Sequence, residues 1–191
     1  MIIFLLSLLI CIILHELSHL IVAKKIGCGV EVFSVGFGKP FYSFEYKGTR
    51  YNFTPILLGG YCKVKGETGI NPDKDAFCNL IYTKKCLMIV AGCLTNLVTG
   101  LIAFIIGRYF HIHPLYVFGY YSILLGIGNL LPIPALDGFY PIGVWLEKFM
   151  GKERGYELLN KINRIGFIIL MALQVACIPW IIYMIINGGL S

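Results

Sequence analysis

Residues 12 to 23 read IILHELSHLIVA. His15 and His19 stand four apart in this apolar run, with Glu16 beside the first of them. On a helix a four-residue step turns the chain by about 40° and lifts it by about 6 Å, so both imidazoles point to one side and can grip one metal ion. Glu16 lies about 100° round from His15, beside the metal position rather than on it. It is placed to take a proton from a water held there. A zinc ion would lower the pKa of that water to about 7, making a nucleophile at neutral pH. Burying a carboxylate and two imidazoles among apolar side chains is costly, and metal binding offsets that cost. The chemistry encoded by the motif is metal-assisted hydrolysis, with one zinc ion per chain.

The elements that must position this motif are apolar. The chain has 191 residues, of which 58% are hydrophobic and only 14% charged, and its mean hydropathy is +0.79. Soluble domains carry nearer a quarter charged residues, so a membrane protein is expected. Four stretches are long enough to cross a bilayer, at about 2–23, 87–107, 114–133 and 166–187. The first has no basic leading segment and no small-x-small cleavage site, so it reads as a span rather than a cleaved signal peptide. The seven Cys residues show no pairing or CxxC pattern and lie mostly in or beside apolar runs. They read as small core residues in a reducing or lipid setting.

Charge gives the orientation. Fifteen of the sixteen Lys and Arg residues fall between the first and second stretches or between the third and fourth, and only Arg108 lies elsewhere. The positive-inside rule puts both large loops in the cytosol and both termini outside. The net charge of +6 therefore reads as membrane topology, and no nucleic-acid partner is expected. The loop after the first span carries strand signals. VEVFSVGFG alternates with period two, FYSFEYKGTRYNFTP reads as strand, Lys47-Gly48 turn and strand, and ILLGGYCKVKGE returns to apolar residues. A small β insertion at about 30–67, lying against the membrane face, is predicted.

A catalytic zinc takes three protein ligands and keeps one position open. His19 is five residues before Lys24, so the pair lies near the cytosolic edge of the first span. His111 and His113 sit in the short outer loop, across the membrane, and are excluded. The third span arrives at the cytosolic edge at GNLLPIPALDGF, which brings Asp137 to the depth of His15 and His19. Pro132 and Pro134 break the helix there and let Asp137 turn inward.

On HELSH, FSVGFGKP with LLGGYCKVKGE, AGCLTN and NLLPIPALDG, the chain resembles the site-2 proteases, the intramembrane zinc metalloproteases. The resemblance covers nearly the whole chain. It implies that the β insertion is a membrane-associated sheet whose edge binds substrate in extended form, here including Gly59 and Gly60. It implies that Asn96 helps orient substrate or the oxyanion, and that Asn129 occupies another family position. The family's usual Pro after Ala91-Gly92 is Cys93 here, and the Gly that often follows Asp-Gly is Phe139. The outer loop is too short for a PDZ domain and only four residues follow Asn187, so the chain reads as a minimal core without PDZ or nucleotide-binding modules, with regulation supplied by a separate protein.

The expectation is therefore one domain over residues 1–191, an all-α membrane bundle of about four spans with a small β insertion. It would hydrolyse a peptide bond in or near the transmembrane segment of a single-span substrate within the bilayer of the cell membrane, near the cytosolic face. His15, His19 and Asp137 would hold zinc and Glu16 would be the base. The rival from another class is a non-catalytic membrane adaptor or chaperone that kept the fold, but a pure binder needs no base at Glu16. A zinc transporter would need polar residues spread through the membrane depth, whereas these cluster at one edge.

Overall fold

The computed structural model describes residues 2–67 and 69–186. It is mostly helical, with one small sheet. Helix α1 runs over Ile2–Lys25 and is apolar on almost every face until Lys24 and Lys25 in its last turn. It ends where Gly27 takes φ +80°, with Gly27 N–H donating to Lys24 O at 3.3 Å and Cys28 N–H to Ala23 O at 2.8 Å. That pair of bonds satisfies the last free carbonyls of the helix and turns the chain sharply into the sheet.

Four strands follow: β1 Val30–Phe37, β2 Tyr42–Tyr46, β3 Thr49–Phe53 and β4 Ile56–Val64, in the order β2-β3-β1-β4. The predicted hairpin is β2 with β3, antiparallel, turning at Lys47-Gly48, where both residues have positive φ. This is the turn geometry that suits the twist of two adjacent strands. Period-two reading does not reveal that β3 then pairs parallel with β1. As a result β4, antiparallel to β1, becomes an edge strand beside α1. With this sheet the expectation of an all-α bundle gives way to a helical protein that carries a four-stranded sheet.

Helix α2, Tyr82–Tyr109, and α3, His113–Asn129, form a tight antiparallel hairpin. A Cβ at Gly100 would lie 3.0 Å from Gly119 O and 2.9 Å from Ile123 N, so the backbones touch at small residues. This is the mode of helix packing available where both helices and lipid are equally apolar. The chain then makes a short 3-10 turn at Asp137–Phe139, an eleven-residue helix α4 at Tyr140–Met150, and α5 at Lys152–Ile186. Helix α4 was not foreseen, and α5 begins well before the expected start at 166. The last residue of that expected span, Asn187, lies outside the described residues.

Among the described residues three helical segments are long and apolar enough to cross a membrane: Ile2–Lys25, Tyr82–Tyr109 and Lys152–Cys177. The third expected span is α3, whose 17 residues would reach about 26 Å at 1.5 Å each, slightly under a bilayer's hydrocarbon thickness. Exposed Leu94, Val98, Leu101, Ile102 and Ile105 along α2 form a face suited to lipid rather than water. The main core sits at one end of the helices. There Leu20 and Ala23 of α1, Val30 and Phe33 of β1, Val64 of β4, and Met88 and Ile89 of α2 pack together. The chemistry-bearing residues lie at that end.

Candidate metal centre

Helix α1 presents His15 and His19 on one face, both buried, with ring centroids 4.9 Å apart and planes at 75°. Asp137 reaches them from the 3-10 turn after α3. Its Oδ2 lies 2.9 Å from His15 Nε2 and 3.1 Å from His19 Nε2, and the two Nε2 atoms are 3.3 Å apart. The loop that delivers Asp137 is held from outside. Pro132 and Pro134 stop α3, Ala135 takes φ +75°, and its N–H donates to Asn163 Oδ1 of α5 at 3.0 Å. The sequence pattern gave Pro132 and Pro134 as helix breakers; the Asn163 anchor had no motif to reveal it.

The donor set fits a cation. His19 Nδ1 is 2.8 Å from Met88 O, and a carbonyl only accepts, so Nδ1 carries the proton. His19 Nε2 then aims a lone pair at a carboxylate oxygen 3.1 Å away. Two such atoms repel unless positive charge sits between them, and two imidazole nitrogens with one carboxylate are ordinary zinc ligands. Burial alone would raise the Asp137 carboxyl, but positive charge on the imidazole side, whether a proton or a metal ion, outweighs it and holds the group well below the usual carboxylate range. The ligand is thus ionised at neutral pH.

Glu16 lies beside this cluster and under the sheet. A Cβ at Gly60 of β4 would come within 3.1 Å of Glu16 Cγ and 3.7 Å of Ile12 Cγ2, so the edge strand packs against the Glu16 side chain. Gly59 points elsewhere: a Cβ there would strike the ring of Phe37. Asn96 is brought into the site, with Nδ2 3.3 Å from His15 Nδ1. Asn129 is the last residue of α3, half-buried, and no hydrogen bond joins it to His15, His19 or Asp137 among the described residues. His111 and His113 flank the far end of α2; from Met88 to Tyr109 that helix rises about 31 Å, which keeps them off the site.

Two residues lie inside the motifs AGCLTN and LLGGYCKVKGE with no role that the motifs assign, Gly92 and Glu67. Gly92 of α2 faces the His pair so closely that a Cβ would lie 2.7 Å from His15 Nε2 and closer still to His19 Nε2. Glu67, just past β4, accepts the Tyr140 hydroxyl at 2.5 Å through Oε1 and the Val64 N–H at 3.4 Å through Oε2. Burial pushes the Glu67 carboxyl above its ordinary range, opposed by those two donors. Tyr140 is three residues from Asp137, so this bond ties the edge strand to the ligand turn. Tyr140→Phe leaves a buried carboxyl oxygen unpaired, and thermal unfolding of the variant is expected to show a loss of about 1–3 kcal/mol. An unchanged midpoint would mean the tie contributes nothing.

A family profile described as Peptidase family M50 matches residues 3–112 and 108–173. A protein of Campylobacter jejuni named "putative zinc metalloprotease" is 41% identical over 100 residues, which cover 50% of this chain and 27% of that protein. A protein of Borreliella burgdorferi with the same name is 41% identical over 104 residues, covering 49% and 24%. The matched stretch therefore spans about a quarter of each relative's length. The solved structure of the site-2 protease from Methanocaldococcus jannaschii shares the fold, with a TM-score of 0.56 at 19% identity over 94% of this chain and 70% of that one.

Proposed function

The chain belongs to peptidase family M50, the site-2 protease family, and from that premise we propose that it is a zinc metalloprotease that cleaves peptide bonds in or near the transmembrane segments of membrane-protein substrates. The observation that carries this reading is the convergence of His15, His19 and Asp137 within 4.8 Å of one another, with Glu16 alongside. These three side chains would hold the ion, which when bound supplies a Lewis acid for the scissile carbonyl and acidifies water. Glu16, beside the ligands rather than among them, takes the proton of the attacking water and returns it to the departing amine nitrogen. Both transfers need one carboxylate free of the metal, which its position on α1 provides.

A helical substrate hides its carbonyls, so it must be extended before attack. Strand β4 supports such a role: it is an edge, it carries exposed Ile56, Leu57 and Tyr61, and at Gly60 it lies against Glu16. A substrate added to that edge as a strand would be held by backbone hydrogen bonds beside the base. The basic residues at this end, with Lys24, Lys25, Lys84 and Lys85 among them, support a site at the cytosolic face and termini outside. The partners in this reading are a single-span substrate, the bilayer and a separate regulator.

Asp137→Ala tests the site. Purified protein should insert as before, lose most of its zinc and lose cleavage of a membrane-protein substrate. Normal zinc with full activity would place the third ligand elsewhere.

A further inference from the structure

We propose that Asn96 is a positioning residue for His15, holding that imidazole with its proton on Nδ1 and its Nε2 lone pair free for the metal. The inference rests on the metal reading above and deepens it.

The two imidazoles are held differently. His19 has its tautomer set by a backbone carbonyl, Met88 O, which can only accept. His15 Nδ1 meets no backbone carbonyl among the described hydrogen bonds; its neighbour is the Asn96 amide, with Nδ2 at 3.3 Å. In that orientation the amide donates, which places the His15 proton on Nε2, the atom that must be bare to bind a cation. The same orientation leaves Asn96 Oδ1 buried without a partner. The decisive point is therefore the His15 ring, whose metal-facing nitrogen has to be free of a proton.

One half-turn of the amide about χ2 removes the conflict at His15, with the amide NH2 taking the position that Oδ1 held. Oδ1 then accepts the His15 Nδ1–H, and Nε2 faces Asp137 with its lone pair. A metal-binding imidazole ordinarily gives its other N–H to such an acceptor, which fixes the ring and raises its basicity. The rest of the residue stays in place during that turn, because its backbone carbonyl accepts the Ser122 hydroxyl of α3 at 2.9 Å. Asn96 is 0% exposed, so a substrate has no path to its amide while the three helices are packed. In this proposal Asn96 serves a metal ligand, where the family resemblance implies a contact with substrate or the oxyanion.

The test is zinc affinity of the full chain in detergent or nanodiscs, by competition with a chelator, for wild type, Asn96→Asp and Asn96→Leu. Aspartate accepts but cannot donate, whereas leucine keeps the volume and does neither. Asn96→Leu is expected to weaken zinc binding by about 10- to 100-fold, the usual cost of losing such a partner. Asn96→Asp should stay within about threefold of wild type. Zinc binding at wild-type strength in Asn96→Leu, with KM raised, would overturn the proposal in favour of a substrate contact. Should Asn96→Leu fail to keep its helical circular dichroism, Asn96→Asp decides alone: a tenfold or greater loss of affinity in it means that an acceptor is not what His15 requires. A wild-type chain that binds no zinc would sink the metal reading itself, and this inference with it.

Discussion

Glu16→Gln should retain its zinc and lose cleavage by at least about 100-fold, the lower range for removal of a general base. The substitution keeps the length and the polarity of the side chain, so the packing of β4 over position 16 is preserved. The three ligand atoms belong to other residues, and their mutual distances of 2.9, 3.1 and 3.3 Å do not depend on Glu16. What an amide lacks is the capacity to take a proton from water at neutral pH. His19→Ala should fail in the other way, losing zinc and cleavage together. Metal analysis beside a cleavage assay on a membrane-protein substrate distinguishes the two. Cleavage at the normal rate in Glu16→Gln would remove the hydrolytic role assigned here. Loss of zinc as complete as in His19→Ala would make Glu16 a ligand.

The site was legible where chemistry depends on spacing along one helix or on depth along one span. His15, Glu16 and His19 need only the pitch of a helix to be related. Asp137 needs only the count of spans and the two prolines that stop the third. The sheet was legible as strands and as one turn, because alternation and Lys47-Gly48 are local. Its order was not, because the parallel pairing of β1 with β3 depends on contacts that no local pattern encodes. Helix α4 was missed because eleven residues between an Asp-Gly turn and a glycine read as loop. Its residues find their partners in α5, where a Cβ at Gly143 would strike Leu159. Asn96 was legible through its motif, but its 0% exposure and its contact with the His15 ring were not, because they depend on how α2 packs against α1 and α3.

Gly92→Ala should cost zinc affinity by at least about 10-fold and cleavage by as much, with the helices intact. Glycine is the poorer helix former by about 1 kcal/mol, so on propensity alone the alanine variant should have a more stable α2. The penalty is all in the space that the metal ligands occupy. A Cβ at position 92 would sit 2.5 Å from His15 Cε1 and 2.7 Å from His15 Nε2, and would overlap His19 Nε2. These are the ligand-bearing edges of both rings, so the methyl group displaces the atoms that must meet the ion. Relief by rotating His19 would break its bond to Met88 O, one turn earlier on the same face of α2. Relief by separating α1 from α2 would open the packing of Leu20 and Ala23 against Met88 and Ile89. Neither route preserves a site whose geometry must hold to a few tenths of an ångström. Circular dichroism should report unchanged helix, while chelator competition reports weaker zinc. Wild-type zinc affinity in Gly92→Ala would show that α1 and α2 have room the structure denies them, and that the close approach at position 92 does not set the metal centre.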